Sequence, residues 1–115
     1  MKRLLAATIV FSTLVVLAGA EAPSSAPKQY RGEYFYNFET AAFTPEGSSE
    51  AWCVNSAKLK DAELPADANG GGVSGTADIV VLGVLSAPGH YCNLGVSKHF
   101  LDITKVIEIR NRKRR

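Results

Sequence analysis

Thr76-Ala77-Asp78-Ile79-Val80-Val81-Leu82-Gly83-Val84-Leu85-Ser86 places six large aliphatic side chains in eleven positions. Such a nearly continuous apolar run reads as a strand that is apolar on both faces and therefore covered on both. Gly83 inside it marks a bend or a close approach of another backbone. This segment is the strongest core signal in the chain, and the rest of the fold is arranged around it.

Upstream, Asp67–Gly75 contains four glycines and reads as a mobile loop. Before it, Ser56 is placed to cap a short helix over Ala57–Leu64, which Pro65 ends. Glu50–Asn55 forms a short strand carrying Trp52 and Cys53, and Thr44-Pro45-Glu46-Gly47-Ser48-Ser49 has turn chemistry. From Tyr30 the pattern has a period of two. Tyr30, Tyr34, Tyr36 and Phe38 fall on one face, with Arg31, Glu33, Asn37 and Glu39 on the other. Downstream, Ala87-Pro88-Gly89 turns the chain, and a loop through His90–Lys98 leads to a last strand. There Leu101, Ile103, Ile107 and Ile109 alternate with Asp102, Thr104 and Glu108. There is no internal repeat.

The fold class expected is all-β with one short helix: a small OB-like, partly open barrel of about five strands, closed by a strongly bent strand. A β-sandwich is the alternative, but it normally needs about seven strands. The domain plan is a signal peptide at 1–20, a flexible leader at 21–29, a barrel over 30–109 and a basic C-terminal tail at 110–115.

The signal peptide rests on three adjoining features. Lys2 and Arg3 form a positive start, Leu4–Ala18 is an uncharged and mostly apolar stretch, and Ala18-Gly19-Ala20 supplies the small residues before a cut at Glu21. The apolar stretch of 15 residues is shorter than a membrane span needs. Ala20 stands where a lipoprotein signal would carry Cys, so no thiol is offered for acylation.

Processing also redistributes charge. The full chain has 13 Lys+Arg and 11 Asp+Glu. Residues 21–109 hold 6 basic and 11 acidic residues, and Arg110, Arg112, Lys113, Arg114 and Arg115 add five positive charges at the end. Those five are the candidate contacts to an anionic surface, such as a lipid, lipopolysaccharide or acidic partner. The acidic body disfavours nucleic acid, because a stacking platform on Tyr30, Tyr34 and Tyr36 would need a basic groove beside it.

Cys53 and Cys92 are the only two cysteines, and in an exported protein they pair most simply with each other. The bond closes a loop of about 40 residues and contributes up to about 4 kcal/mol on the chain-entropy argument. No C-x-x-C motif is present, which argues against a thiol oxidoreductase.

Catalytic chemistry finds no foothold. Gly-x-Ser-x-Gly, the P-loop and GxGxxG are absent, and Ser25-Ala26-Pro27-Lys28 matches S-x-x-K only inside the leader. No catalytic residue, cofactor or metal ligand is assigned. His90, Cys92 and His99 lie within ten residues and have copper- or zinc-compatible donors. A disulfide at Cys92 removes the thiolate, which leaves His90 and His99 as the metal candidates.

The segments YRGEYFYNFETAAFTP (30–45), EAWCV (50–54) and VLGVLSAPGHYCNLG (81–95) together resemble a family of small exported bacterial proteins with an OB-like β-barrel. The shared shape is an aromatic first strand ending in Phe-Glu, a Phe-x-Pro turn, a Trp strand, and a Gly-x-Leu-Ser-x-x-Gly turn. Where members carry Gly-His after the turn tyrosine, this chain has Cys92-Asn93. The resemblance implies fold and compartment and no activity.

The function expected is that of a periplasmic or secreted, non-enzymatic module that binds a macromolecular partner or an anionic envelope component. The alternative is a small metal- or ligand-binding protein using the His90–His99 loop. The exported protein is expected to begin at Glu21, and its unreduced mass to fall below the reduced mass by two hydrogens. N-terminal sequencing and mass spectrometry check both; free thiols in fresh periplasmic material would contradict the bond.

Overall fold

The structure is a computed structural model that describes residues 26–69 and 73–115. The expected signal peptide (1–20), the start of the expected leader (21–25) and residues 70–72 lie outside the described residues.

The aliphatic run forms β4, Gly75–Leu85. Its inward positions Ala77, Ile79 and Val81 are buried in the core. On the opposite face Val80 is also buried, flanked in register by Arg31 of β1 and Glu108 of β5. The expectation of cover on both faces holds only in part: the outer face is buried at Thr76 and Val80 but leaves Asp78 exposed and Leu82 half-buried, because that side of the ring faces outward. A side chain at Gly83 would meet the Asp102 carbonyl oxygen at 2.8 Å, so glycine marks a close backbone approach here.

β1 (Lys28–Tyr36) pairs antiparallel with β4 along its whole length. Tyr34 and Tyr36 are buried, and Tyr30 packs half-buried against the same core. Gly32 falls on that face, where a Cβ would come within 2.9 Å of the Phe43 ring. The missing side chain gives Phe43 its place. Phe38 departs from the expected alternation and is 82 % exposed. The cause is Asn37, whose side-chain Oδ1 accepts from the backbone N–H of Glu39 (2.8 Å) and Thr40 (2.6 Å). That turn ends the strand before Phe38 can follow Tyr36 inward.

β2 (Ala41–Pro45) and β3 (Trp52–Val54) are short. β2 takes Thr44 and Pro45 out of the segment that sequence chemistry assigns to a turn. Between β3 and β4 the expected helix is a 3-10 segment, Ser56–Ala62, with Leu59 and Ala62 buried. It has no side-chain cap, because Asn55 is engaged elsewhere. The Asn55 amide donates to the Ile103 carbonyl (3.1 Å) and accepts from the Ile103 N–H (2.8 Å), so it imitates a strand neighbour for β5.

β5 runs from Phe100 to Arg114. It pairs antiparallel with β4 and, over Phe100–Leu101, parallel with β3. The strands are ordered β1-β2-β3-β5-β4, with β4 back against β1, so the sheet forms a five-stranded ring. Tyr34, Phe43, Ile79, Val81, Leu101 and Ile103 fill its interior.

Two expectations need correction at β5. First, Ile107 is not an inward residue. The β4–β5 register shifts three times, each time with one extra residue on β5, and one of these shifts displaces Ile107, which is 47 % exposed. Val106 packs on the core instead. Second, residues 110–114 are not a free tail. They continue the ladder, with Arg110 opposite Asp78, Lys113 opposite Thr76 and Arg114 opposite Gly75. At the other end, Lys28 and Gln29 belong to β1 rather than to the leader.

Val81 and Leu82 are neighbours with different surroundings, one fully buried and one half-buried on the outer face. Val81→Asp is expected to unfold the domain, since an unpaired buried charge costs as much as a small domain's whole stability. Leu82→Asp should lose far less. Denaturant titration of both variants checks this, and equal stability would contradict the inward assignment of Val81.

Candidate binding face and its disulfide-held loop

The segment between β4 and β5 is a structured arm. Ser86 and Phe100 close its base: the Ser86 N–H donates to the Phe100 carbonyl (2.9 Å) and the Phe100 N–H to Ser86 Oγ (2.8 Å). Farther out, the Gly89 N–H donates to Lys98 O (2.9 Å), and Tyr91 and Ser97 exchange backbone bonds (2.9 and 3.3 Å). The Tyr91 hydroxyl donates back to Ala87 O at 2.8 Å. The tip, 92–96, is tied to β3 by a disulfide between Cys92 and Cys53, with Cα atoms 6.4 Å apart.

Two tip residues have left-handed backbones that non-glycine residues rarely adopt: Cys92 (φ 64°) and Leu94 (φ 59°). Leu94 is 90 % exposed and Val96 76 %. The chain therefore holds an unfavourable conformation while an apolar side chain stands in water. The Gly95 N–H donates to the Cys92 carbonyl (2.9 Å), which closes a turn across Asn93 and Leu94 and leaves the Leu94 side chain without a partner surface. Between this tip and the β2–β3 surface lies a groove of about 360 Å³, walled by Ala41, Ala42 and Val54 on one side and Leu94 and Val96 on the other.

A second cavity, of about 670 Å³, opens at the barrel end beside the 37–40 turn. Tyr34, Tyr36, Phe38, Leu64, Pro65 and Val73 contribute to its wall. Inside, the Tyr34 hydroxyl donates to Glu63 Oε2 at 2.6 Å, and the Leu64 N–H donates to the Tyr36 hydroxyl at 2.9 Å. Burial first, and then the bond to the Glu63 carboxylate, hold the Tyr34 hydroxyl well above the ordinary tyrosine range. It stays a neutral donor throughout the physiological range. Lys60 lies 3.8 Å from the other Glu63 oxygen.

The residues singled out in the sequence divide differently from expectation. His90 Nδ1 is 3.4 Å from Gly95 O, and His99 Nδ1 is 3.0 Å from Ser86 O, so each ring meets a carbonyl of the arm. His99 also packs edge-on against Trp52, with ring centres 5.7 Å apart. Cys92 carries no thiolate, and among the described residues no three metal-ligating side chains are gathered. Tyr34 and Tyr36 are stacked and buried, which removes two of the three rings from any surface platform.

The basic residues are largely engaged. Arg110 Nε is 2.8 Å from Glu108 Oε2. Arg112 Nη1 donates to Asp61 O (3.1 Å), and Arg114 Nη2 donates to Pro65 O (2.8 Å). The Arg115 guanidinium lies 5.7 Å above the Phe35 ring centre.

Phe38, Leu94 and Val96 are the functional candidates that sequence reasoning misses. The available signal is compositional: Leu94 and Val96 are apolar residues set among Gly, Asn and Ser, outside any period. Comparison with family models, curated proteins and solved structures finds no match.

Replacing both cysteines by Ser is expected to lower the melting midpoint by several degrees or more, given about 2–4 kcal/mol for such a bond. Amide exchange should then quicken over 86–99 and change little in β4. Unchanged exchange over the arm would mean that the bond does not hold the tip.

Proposed function

We propose that the protein is an exported, non-enzymatic OB-like module that binds a macromolecular partner, a protein of the cell envelope, through the groove between the arm and β2–β3. The carrying observation is Leu94, held left-handed and 90 % exposed on an arm that a disulfide pins to β3. A covalently fixed apolar tip beside a groove has the makings of a binding anchor, because little ordering remains to be done on association.

Other features support the reading. The order β1-β2-β3-β5-β4, with β3 parallel to β5 and a helical segment between β3 and β4, agrees with an OB-like barrel. In such barrels the face of the second and third strands, with the flanking β1–β2 and β4–β5 loops, is the usual binding surface. Here those loops are the 37–40 turn and the 86–99 arm. The N-terminal signal features and the disulfide together support an oxidising, periplasmic or extracellular location. Glu39 beside the groove and Glu50 near the arm speak against a nucleic-acid strand as the occupant.

A photo-crosslinking residue placed at Leu94 in intact producing cells tests the reading, with the same residue at exposed Lys105 as control. A discrete protein adduct is expected from position 94 that is absent from 105 and is lost when Val96→Ser is added. The same adducts from both positions, or none from 94, would overturn it.

A further inference from the structure

We propose that the barrel end carrying Phe38, Val73 and the last residues of β5 seats on an anionic phospholipid bilayer. This goes beyond the groove-binding reading: the two surfaces meet at the 37–40 turn, and changes at Phe38 and at Leu94 test them separately. The register brings three segments to one end: Tyr36 pairs with both Ala41 and Gly75, and Gly75 with Arg114. The 37–40 turn, the entry to β4 and the end of β5 are therefore neighbours.

Two kinds of group face outward there. Phe38 is 82 % exposed and Val73 half-exposed, and both line the cavity at this end of the barrel. Beside them stand cations in fixed places. Arg114 donates to Pro65 O on the cavity wall, the Arg115 N–H donates to Ser74 O next to Val73, and Arg112 donates to Asp61 O. These acceptors are neutral. The ion pairs found among the described residues are Lys60–Glu63, Lys98–Glu50 and Arg110–Glu108, and none includes Arg112, Lys113, Arg114 or Arg115.

Glu39 and Glu63 line the cavity at this end and Asp61 lies beside Arg112, so charge alone gives only a weak attraction. Stable attachment to a bilayer takes two signals acting together, a cationic patch and inserted apolar groups. This end supplies both, from a rigid ladder rather than a loose tail. Phe38 and Val73 would enter the headgroup boundary while Lys113 and Arg115 meet lipid phosphates.

Co-sedimentation of the purified protein with phosphatidylglycerol-containing vesicles tests the proposal, with phosphatidylcholine vesicles as reference. Binding is expected to favour the anionic vesicles about tenfold or more at low salt and to fall at high salt, where the Debye length shrinks from about 10 Å to about 3 Å. Phe38→Ser with Val73→Ser, and separately Lys113→Gln with Arg115→Gln, should each reduce binding about tenfold. Arg112 and Arg114 are left intact because they hold backbone carbonyls. In a Phe38→Trp variant, brominated lipid should quench the new fluorescence, which reports insertion even if sedimentation is weak. Equal binding to both vesicles, no quenching, binding unchanged in either double variant, or binding to lipopolysaccharide alone would each overturn the proposal.

Discussion

β5 has to follow β4 on one side and turn away to meet β3 on the other, and a regular strand cannot do both. The extra residues in β5 solve this. Fourteen residues of β5, Leu101–Arg114, lie opposite the eleven of β4, and the surplus is taken up at three register shifts. Each bulge adds local right-handed twist and bends its strand, and a five-stranded ring needs such bending to bring its first and last strands together. The interior depends on that curvature: Leu101 and Ile103 reach the same core as Tyr34 of β1 and Phe43 of β2. Where β3 stops short, the Asn55 side chain takes over as partner to Ile103, so the gap between β3 and β5 opens beside a satisfied backbone.

The arm between β4 and β5 is governed by a different balance. Left-handed backbones at Cys92 and Leu94 cost of order 1 kcal/mol each or somewhat more. Exposure of Leu94 and Val96 forgoes burial worth about 1.5–3 kcal/mol for each. The arm's own hydrogen bonds, at about 1 kcal/mol net each, offset part of this. A covalent tie worth up to about 4 kcal/mol, gained by constraining the unfolded chain, offsets the remainder. The disulfide also fixes the start of the tip at β3, whichever way the side chains beyond Cys92 point.

How far the fold could be read from the sequence follows from how local each determinant is. The β4 run is decided by its own composition, and the Cys53–Cys92 bond by the presence of only two cysteines. β2 is five residues without a strong period, and its Thr44-Pro45 also suits a turn. Phe38 continues the alternation of β1 on paper, and only the Asn37 turn breaks it. Ile107 likewise obeys the period of two until a bulge shifts the register. A bulge is a tertiary demand of ring closure, and it leaves no mark that a period count detects. The candidate site was the least legible part, because an exposed leucine carries meaning only once its backbone angle and its tether are known.

The basic run at the end of the chain shows why charge alone is a poor guide to place. Five cations in six residues resemble a solvated terminus, yet they sit in a ladder in which alternate residues face opposite ways. Arg112 and Arg114 turn toward the 3-10 segment and the chain after it, where the Asp61 and Pro65 carbonyls need donors. Arg115 lies on the other side, over Phe35, a residue of β1 between the two inward tyrosines. Beyond the register shift at Arg110–Lys113, the strand turns Arg112 and Arg114 to the chain that covers the barrel and Lys113 and Arg115 to the other side. Neutralising the whole run would confound these two roles, whereas changing Lys113 and Arg115 alone alters the surface and leaves the anchored carbonyls in place.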